Sequence, residues 1–127
     1  YMDKPYDRKI INFKKNIQKM SARAFKNCES LEGVQLGINV TEIDEEAFYG
    51  CSRLSCAVMK KRTKKIGKKA FAKCRSLRSV KVTSSVTEIA PDAFEDCPNA
   101  VFYCEEGSYA EKFAKEHGIP VIYMELG

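Results

Sequence analysis

The chain has 127 residues, of which 44% are hydrophobic and 31% are charged, and its formal net charge is +5. These totals are typical of one folded domain with a modest core. The sequence contains no run of the roughly 18 apolar residues that a membrane span needs, so we expect no membrane insertion within this chain.

An internal 23-residue repeat dominates the sequence. Ala-Phe pairs occur four times, at 24–25, 47–48, 70–71 and 93–94. Cysteine keeps the same step, at 28, 51, 74 and 97. A fixed period of this length is typical of a solenoid, in which each repeat contacts only its neighbours. The period predicts one domain over 1–127, made of a truncated first repeat at 1–23, full repeats at 24–99 and a C-terminal cap at 100–127.

The repeats are predicted to combine a strand with a helical turn. In the truncated first repeat, Ile11 and Phe13 take the place of the strand residues. In the next repeat, Val34 and Leu36 are two apart, which is the period of a β-strand. Apolar residues three and four apart within 43–51 predict a short helical turn. Each repeat is therefore expected to add one strand to a parallel sheet and one helical segment beside it.

The last part of the chain has the pattern of a cap. The repeat breaks down in the fifth strand, where Glu105 falls at a position that the period reserves for an apolar residue. Ser108 and Glu111 form a capping box that predicts the start of a helix. Gly118 suits the left-handed position after the helix end. Residues 119–123 predict a final extended segment at the edge of the sheet.

The repeated pattern Ile-x-x-x-Ala-Phe-x-x-Cys-x-x-Leu-x-x-Val-x-Leu, with Val-Thr-Glu-Ile at 40–43 and again at 86–89, resembles the BspA-type (Treponema-type) leucine-rich repeat. The third repeat departs from it, with Thr-Lys-Lys-Ile at 63–66. The resemblance covers roughly residues 8–123. It implies an α/β solenoid that forms a right-handed superhelix, with a short parallel β-sheet on the concave face, short helical turns opposite and a C-terminal helical cap.

The family resemblance also carries a functional expectation. Members are largely surface or secreted proteins of bacteria and some protists, with roles in adhesion and in contact with a host or matrix. The resemblance therefore implies a cell-surface or extracellular location and a non-catalytic role in protein interaction.

One candidate binding surface is the outward face of the predicted sheet. Strand alternation points Gln35, Val58 and Lys81 outward, and their neighbours are small or polar, without an aromatic anchor for a protein partner. Cys56 is predicted to be an exposed thiol on the same face. Its basic neighbours favour the thiolate form, and the alternative is an ordinary surface thiol.

A run of cations at 60–69 is the strongest polar signal. The stretch between Glu46 and Glu88 holds no acidic residue and twelve of the 22 Lys and Arg residues. The 23-residue step places Lys65 between Glu42 and Glu88, so opposite charges are predicted to hold the register of the repeats. A second column alternates in sign in the same way, through Arg23, Glu46, Lys69 and Asp92.

Some cations of the run have no acidic counterpart in the repeat register. Lys68 is expected to meet Glu45, but four others align only with uncharged residues: Lys60, Lys61, Arg62 and Lys64. These four predict an anion-binding rim beside the sheet. The alternative is a solvated face without a ligand.

The remaining polar residues argue against catalysis. The cysteine column is predicted to be a stack of small buried hydrophobes, although the distance between repeats would also permit a disulfide. His117 is the only histidine, and at a helix C-terminus it complements the helix dipole. No Cys-x-x-Cys or Cys/His spacing suggests a metal, and no nucleophile and base are paired. We expect no enzyme activity, no cofactor and no metal site.

Two functions remain from the sequence. The first is a non-catalytic interaction or adhesion module with a protein or glycan ligand. The alternative is a polyanion-binding module (nucleic acid or anionic glycan) that uses the basic rim 60–64. Nucleic acid is disfavoured because the basic residues neither alternate with aromatic ones nor form a column across the repeats. Since the chain begins at Tyr1, we expect it to be part of a longer repeat protein.

Overall fold

The computed structural model describes residues 10–12 and 16–124, and Phe13, named above as a strand residue, lies outside them. The described backbone winds as a parallel solenoid. We define its four coils by the strand with which each begins: coil 1 (10–32), coil 2 (33–55), coil 3 (56–78) and coil 4 (79–100). The C-terminal segment, 101–124, follows.

Two parallel sheets run along the solenoid, with strands numbered in chain order. The larger sheet has six strands: β1 (Ile10–Asn12), β3 (Gly33–Gln35), β5 (Cys56–Val58), β7 (Ser79–Lys81), β9 (Val101–Cys104) and β10 (Val121–Tyr123). The smaller sheet has four: β2 (Lys19–Met20), β4 (Glu42–Ile43), β6 (Lys65–Ile66) and β8 (Glu88–Ile89). The prediction of one strand per repeat was therefore incomplete, because a strand as short as β4 shows no period.

The predicted helical turns are wrong, since the segment around each Ala-Phe pair is a series of tight turns. In coil 2 the amide of Ala47 donates to the carbonyl of Asp44, three residues back rather than the four of an α-helix. The amide of Phe48 instead donates to the carbonyl of Ala70 in the next coil, at 2.8 Å. Left-handed φ angles at Glu46 (55°) and Gly50 (73°) interrupt any helix. Alternate amides thus bond within the turn and between coils, which replaces the helical pattern.

The core is a set of columns, each built from one repeat position. Neighbouring Phe rings stack with centroids 5.1–5.5 Å apart and planes within 9° of parallel, through Phe25, Phe48, Phe71 and Phe94. The partner alanines of the inner coils, Ala47, Ala70 and Ala93, are fully buried. Full burial of one such aromatic ring stabilises the fold by about 1.5–3 kcal/mol. The Ala-Phe repeat is therefore the structural unit of the core.

The fifth strand is out of step with the repeat. Val34 pairs with Ala57, and Ala57 with Val80, and in both pairs the partners are one full repeat apart. Val80, however, pairs with Phe102, whereas a full repeat would pair it with Tyr103. Cys104 therefore takes the buried apolar position that the period assigns to Glu105, and it is fully buried. The apparent breakdown of the repeat is the loss of a single position between Ala100 and β9.

A helix follows the fifth strand, as the capping box predicted. Helix α1 (Tyr109–Glu116) begins after Ser108, whose hydroxyl accepts from the amide of Glu111 at 3.2 Å. The Glu111 carboxylate accepts from the amide of Gly107 at 2.7 Å rather than from that of Ser108. Gly118 has a φ of 70° just beyond the helix. β10 then pairs in parallel with β9 at the edge of the larger sheet. The hand of the superhelix and the concave position of the sheet stay predictions.

Candidate functional site

The outward sheet positions predicted from the sequence lie side by side. Gln35 is paired with Val58, and Val58 with Lys81, in successive strands of the larger sheet. Gln35 and Lys81 are exposed and Val58 is half-buried, whereas the residues between them in the strands, Val34, Ala57 and Val80, are buried. The structure thus brings the three predicted residues together on one surface.

This surface also carries an aromatic residue, contrary to the sequence analysis. The shortened step to β9 places Tyr103 opposite Lys81, and Tyr103 is half-buried. Ile122 of β10 lies opposite Tyr103 and is 48% exposed. The 23-residue step would have put Tyr103 in the core, at the position of Val80. Only an alternative register, with Phe102 and Cys104 inside, could have revealed it in the sequence. We call Gln35, Val58, Lys81, Tyr103 and Ile122 the sheet-face row.

Cys56 lies on the same face in the neighbouring row. Its partners in the adjacent strands are Gly33 and Ser79, as predicted. The thiol is half-buried rather than fully exposed. Glycine and serine leave room around it, so a small reagent still has access.

The basic rim (Lys60, Lys61, Arg62 and Lys64) follows β5 directly along the chain. Hydroxyl groups hold its backbone in place: Thr83 donates to the carbonyl of Lys60 at 2.9 Å and Ser85 to that of Thr63 at 2.7 Å. The buried Thr63 hydroxyl donates to the carbonyl of Val40 at 3.0 Å. Among the described residues, no carboxylate lies within ion-pair distance of any rim cation. The rim is thus a fixed turn that carries unpaired charge.

The predicted charge columns lie in the expected register, but some of their side chains form ion pairs with other residues than predicted. Lys65 pairs with Glu42 and Glu88 in the smaller sheet, and its ammonium lies 3.8 Å from the Glu88 carboxylate. Lys19 lies opposite Glu42 but forms its ion pair with Asp44, at 3.2 Å. The hydrogen bond from the Glu45 amide, and then the Lys19 ammonium, hold the pKa of Asp44 below its usual value.

The second column begins as predicted and then changes its chemistry. Arg23 meets the Glu46 carboxylate at 3.4 Å. Asp92, however, accepts a hydrogen bond from the backbone amide of Lys69 at 3.1 Å. The expected pair of Lys68 with Glu45 is not formed. The Glu45 carboxylate lies 3.8 Å from the Arg23 guanidinium instead.

The cysteine column is structural. All six cysteines are free thiols, and Cys51 and Cys74 are fully buried. Three thiols of the column donate to a Phe carbonyl of the preceding coil at 3.0–3.1 Å, those of Cys51, Cys74 and Cys97. The flanking thiols, together with burial, raise the pKa of Cys74. Burial and a raised pKa therefore make Cys74 a poor nucleophile.

The C-terminal helix holds its titratable groups in structural contacts. The His117 ring stacks on Phe113 with centroids 3.9 Å apart, and Nδ1 donates to the Phe113 carbonyl at 2.9 Å. Hydrogen bonds from the Tyr123 hydroxyl and the Gly107 amide, with the Lys115 ammonium at 3.1 Å, lower the pKa of Glu111 to about 2. These contacts join α1 to β10 and to the turn that precedes α1.

Two further properties concern the described part of the chain. It contains no group of three or more His, Cys, Asp or Glu side chains placed to hold a metal ion. None of its helices is both long and apolar enough to cross a membrane.

Solved structures similar to this chain are bacterial leucine-rich repeat proteins. A leucine-rich cell surface protein from Faecalibacterium prausnitzii matches with a TM-score of 0.76 and 21% identity over 93% of this chain and 32% of that one. A leucine-rich repeat protein from Bacteroides capillosus matches with a TM-score of 0.65 and 18% identity, over 74% of this chain and 76% of that one. The leucine-rich repeat protein of T. pallidum matches with a TM-score of 0.54 and 24% identity, over 76% and 58%. These similarities show the fold, and the chain spans about a third of the F. prausnitzii protein.

Sequence comparison shows the family. A search of curated proteins found no match. The model of the BspA-type leucine-rich repeat region, in contrast, matches residues 7–101 in six copies, which is most of the chain. The match spans the coils whose Ala-Phe turns, cysteine column and parallel strands are described above. The chain belongs to the BspA-type leucine-rich repeat family.

Proposed function

We propose that this chain is a non-catalytic protein-interaction module of a cell-surface or secreted protein, with a role in adhesion, and that the sheet-face row is its ligand-binding surface. The observation that carries the proposal is the position of Tyr103 beside Lys81, with Val58 and Ile122 in the same row. Tyrosine is enriched among the residues that dominate binding energy at protein interfaces. Tyr103 and Ile122 can contact apolar groups of a partner, and Lys81 beside them can contact acidic groups.

Two further facts support this proposal. Repeat solenoids commonly use a continuous surface across their coils for binding, and this row crosses the larger sheet without a break from β3 to β10. The F. prausnitzii protein with the same fold is described as a cell surface protein.

The proposal can be tested by binding to immobilised fibronectin, laminin and collagen, with Tyr103→Ala compared with Tyr109→Ala. Tyr109 is an exposed aromatic residue outside the row, so it controls for loss of a tyrosine. We expect Tyr103→Ala to weaken binding about 30-fold, the effect of a loss of about 2 kcal/mol. Tyr109→Ala should change it by less than about threefold. Absence of binding to these proteins, or equal effects of the two variants, would contradict the proposal.

A second candidate function is the binding of an anionic polymer by the basic rim. The observation that favours it is the unpaired charge of the four rim cations on a turn fixed by Thr83 and Ser85. Binding to immobilised heparin should fall steeply with salt if several cations are engaged. Replacement of all four rim cations by Ala should abolish it.

A control variant with the same change in net charge separates the rim from general basicity. It carries four alanines elsewhere, at Arg53, Lys68, Arg75 and Arg78. If this variant loses heparin affinity as completely as the rim variant, the rim has no special role.

A further inference from the structure

A cleft of about 930 Å³ lies at the C-terminal end of the solenoid. One wall is the turn of coil 4, residues 91–98, and the other is the end of α1 with the residues after it, 117–120. Lys73 and Arg75 of coil 3 border the cleft on a third side. It lies at the turns, whereas the sheet-face row lies on the larger sheet, so the inference below does not depend on the proposed function.

The coil 4 wall presents two backbone amides that have no partner among the described residues. In coil 2 the amides of Phe48 and Gly50 donate to carbonyls of coil 3 at 2.8 and 2.9 Å. In coil 3 the equivalent amides, of Phe71 and Lys73, donate to carbonyls of coil 4, both at 2.8 Å. The next equivalents are the amides of Phe94 and Asp96, two residues that line the cleft. No described oxygen accepts a hydrogen bond from either of them.

The rest of the C-terminal segment supplies partners at the other two edges of coil 4 and β9. Strand β10 pairs with β9 and becomes the edge strand of the larger sheet. The Tyr109 hydroxyl accepts from the amide of Ile89 at 3.3 Å, at the edge of the smaller sheet. At the turn edge of coil 4, in contrast, the hydrogen-bond pattern between coils stops without a replacement among the described residues. Unpaired backbone groups of this kind are a template for another extended chain.

Charge indicates what kind of chain would fit. Asp92, Glu95 and Asp96 line the cleft, and none of them forms an ion pair within the described structure. The corresponding acid of coil 2, Glu46, directs its carboxylate to Arg23 and Lys26 of coil 1. The amides of its turn donate to the carbonyls of the basic turn of coil 3, at Lys68, Ala70 and Ala72. Coil 4 thus repeats the backbone donors on which a basic turn already sits elsewhere in this molecule, and its own acids place negative charge beside them.

The aromatic position above Phe94 is already filled. Phe113 meets the Phe94 ring edge-on at 6.4 Å, and Phe102 does so at 5.0 Å. A peptide bound in the cleft therefore cannot add another ring to the Phe stack. It must have small side chains where it crosses Phe113.

We propose that the cleft binds an extended cationic peptide segment, two of whose carbonyl oxygens accept hydrogen bonds from the amides of Phe94 and Asp96. Its small residues lie over Phe113, and its basic side chains lie beside Asp92, Glu95 and Asp96. Lys73 and Arg75 on the third side disfavour basic residues there, so the cations of the peptide are expected on the coil 4 side.

The test uses the whole chain, labelled with nitrogen-15, and the peptide acetyl-Lys-Lys-Ala-Ala-Ala-Lys-amide. This probe copies residues 68–73 with Ala in place of Phe71. We expect the amide signals of Phe94 and Asp96 to shift on titration and their hydrogen exchange to slow. A peptide with Glu in place of each Lys should not bind. If the Phe94 and Asp96 signals do not move at about 10 mM peptide, well above any useful affinity, the proposal is wrong.

Two triple variants test the charge argument. In the first, Asp92→Asn, Glu95→Gln and Asp96→Asn remove the cleft charges while keeping side-chain size. The matched control removes three exposed acids elsewhere, with Glu29→Gln, Glu106→Gln and Glu116→Gln. We expect about five- to tenfold weaker binding in the first variant only, the effect of a few partly exposed charge pairs. Equal weakening in both variants, or shifts confined to the sheet-face row, would overturn the cleft assignment, and the second outcome would leave the proposed function intact.

Discussion

Tyr103 lies opposite Lys81 in the larger sheet, although their separation in the sequence is one residue shorter than a full repeat. The strand partners of the preceding coils are separated by a full repeat. Side chains of a strand alternate between its two faces, so a change of one position exchanges the buried and the outward sets. Phe102 is consequently buried against Phe94, and Tyr103 faces outward.

This register predicts that two neighbouring aromatic residues contribute very differently to stability. Phe102→Ala removes a fully buried ring and should lower the free energy of unfolding by about 3–5 kcal/mol. Tyr103→Ala, at a half-buried outward position, should lower it by less than about 1 kcal/mol. Urea unfolding of both variants measures the difference. The reverse order would show that the 23-residue step continues into the fifth strand.

The alternating column should contribute to register through charge. Lys65→Glu places three acids in adjacent strands of the smaller sheet, with Glu42 and Glu88 on either side. We expect it to lower the free energy of unfolding by about 0.5–1 kcal/mol, and Glu88→Lys in addition to restore part of that loss. A double-mutant cycle gives the coupling energy directly. A coupling of zero would mean that the column has no energetic role.

The left-handed turn positions predict a clear preference for glycine at residue 50. Gly50→Ala should lower the free energy of unfolding by about 1–2 kcal/mol, because φ is 73° and a Cβ atom would lie close to Asn27 Oδ1. Lys73, its equivalent in coil 3, has a φ of 60°, so Lys73→Gly should not destabilise the protein. Thermal unfolding compares the two. Asn27→Gly in the Gly50→Ala background removes the close contact, and failure to recover any stability would assign the whole effect to backbone strain.

Glu111 predicts a loss of stability in acid. Its folded pKa of about 2 lies below the usual 4.5, so its contribution is complete above about pH 4.5 and is lost as the pH falls towards 2. Glu111→Gln lacks this contribution, and the stability difference between the two proteins should shrink over that range. Urea unfolding from pH 7 to pH 3 measures it. A constant difference would mean that the carboxylate charge contributes nothing.

Thiol reactivity should separate the cysteines by burial. Cys56 is half-buried between Gly33 and Ser79, whereas Cys74 and Cys104 are fully buried and have raised pKa values. A thiol reagent at pH 8 should modify Cys56 in the folded protein and the other two only after unfolding. Peptide mapping by mass spectrometry identifies the modified residues and compares Cys56 directly with Cys74 and Cys104. Equally fast modification of Cys74 would contradict the closed cysteine column.

Several features could be read from the sequence because they repeat. The buried columns of Ala47 and Phe48 and their equivalents follow from the 23-residue period, since residues at equal positions in successive coils face the same neighbours. The opposed charges at Lys65 and Glu88 follow for the same reason. The helix after Ser108 could be predicted because its capping residues are local in sequence.

Other features depend on contacts between coils. The turn around Phe48 was predicted as helical because its apolar spacing fits a helix, but its amide bonds to Ala70 of the next coil instead. The loss of a single position before β9 leaves no clear mark in a sequence where aromatic residues occupy both 102 and 103.

The sequence by itself determined a stack of coils, the composition of the core and the acidic and basic columns, because a fixed period places like residues together. The tertiary structure alone decided that Tyr103 joins Lys81 on the outer face and that the amides of Phe94 and Asp96 find no acceptor among the described residues. The physical reason is the same in both cases. Which way a side chain points, and where a backbone amide finds its acceptor, depend on the register against the neighbouring coil, and one residue more or less changes both.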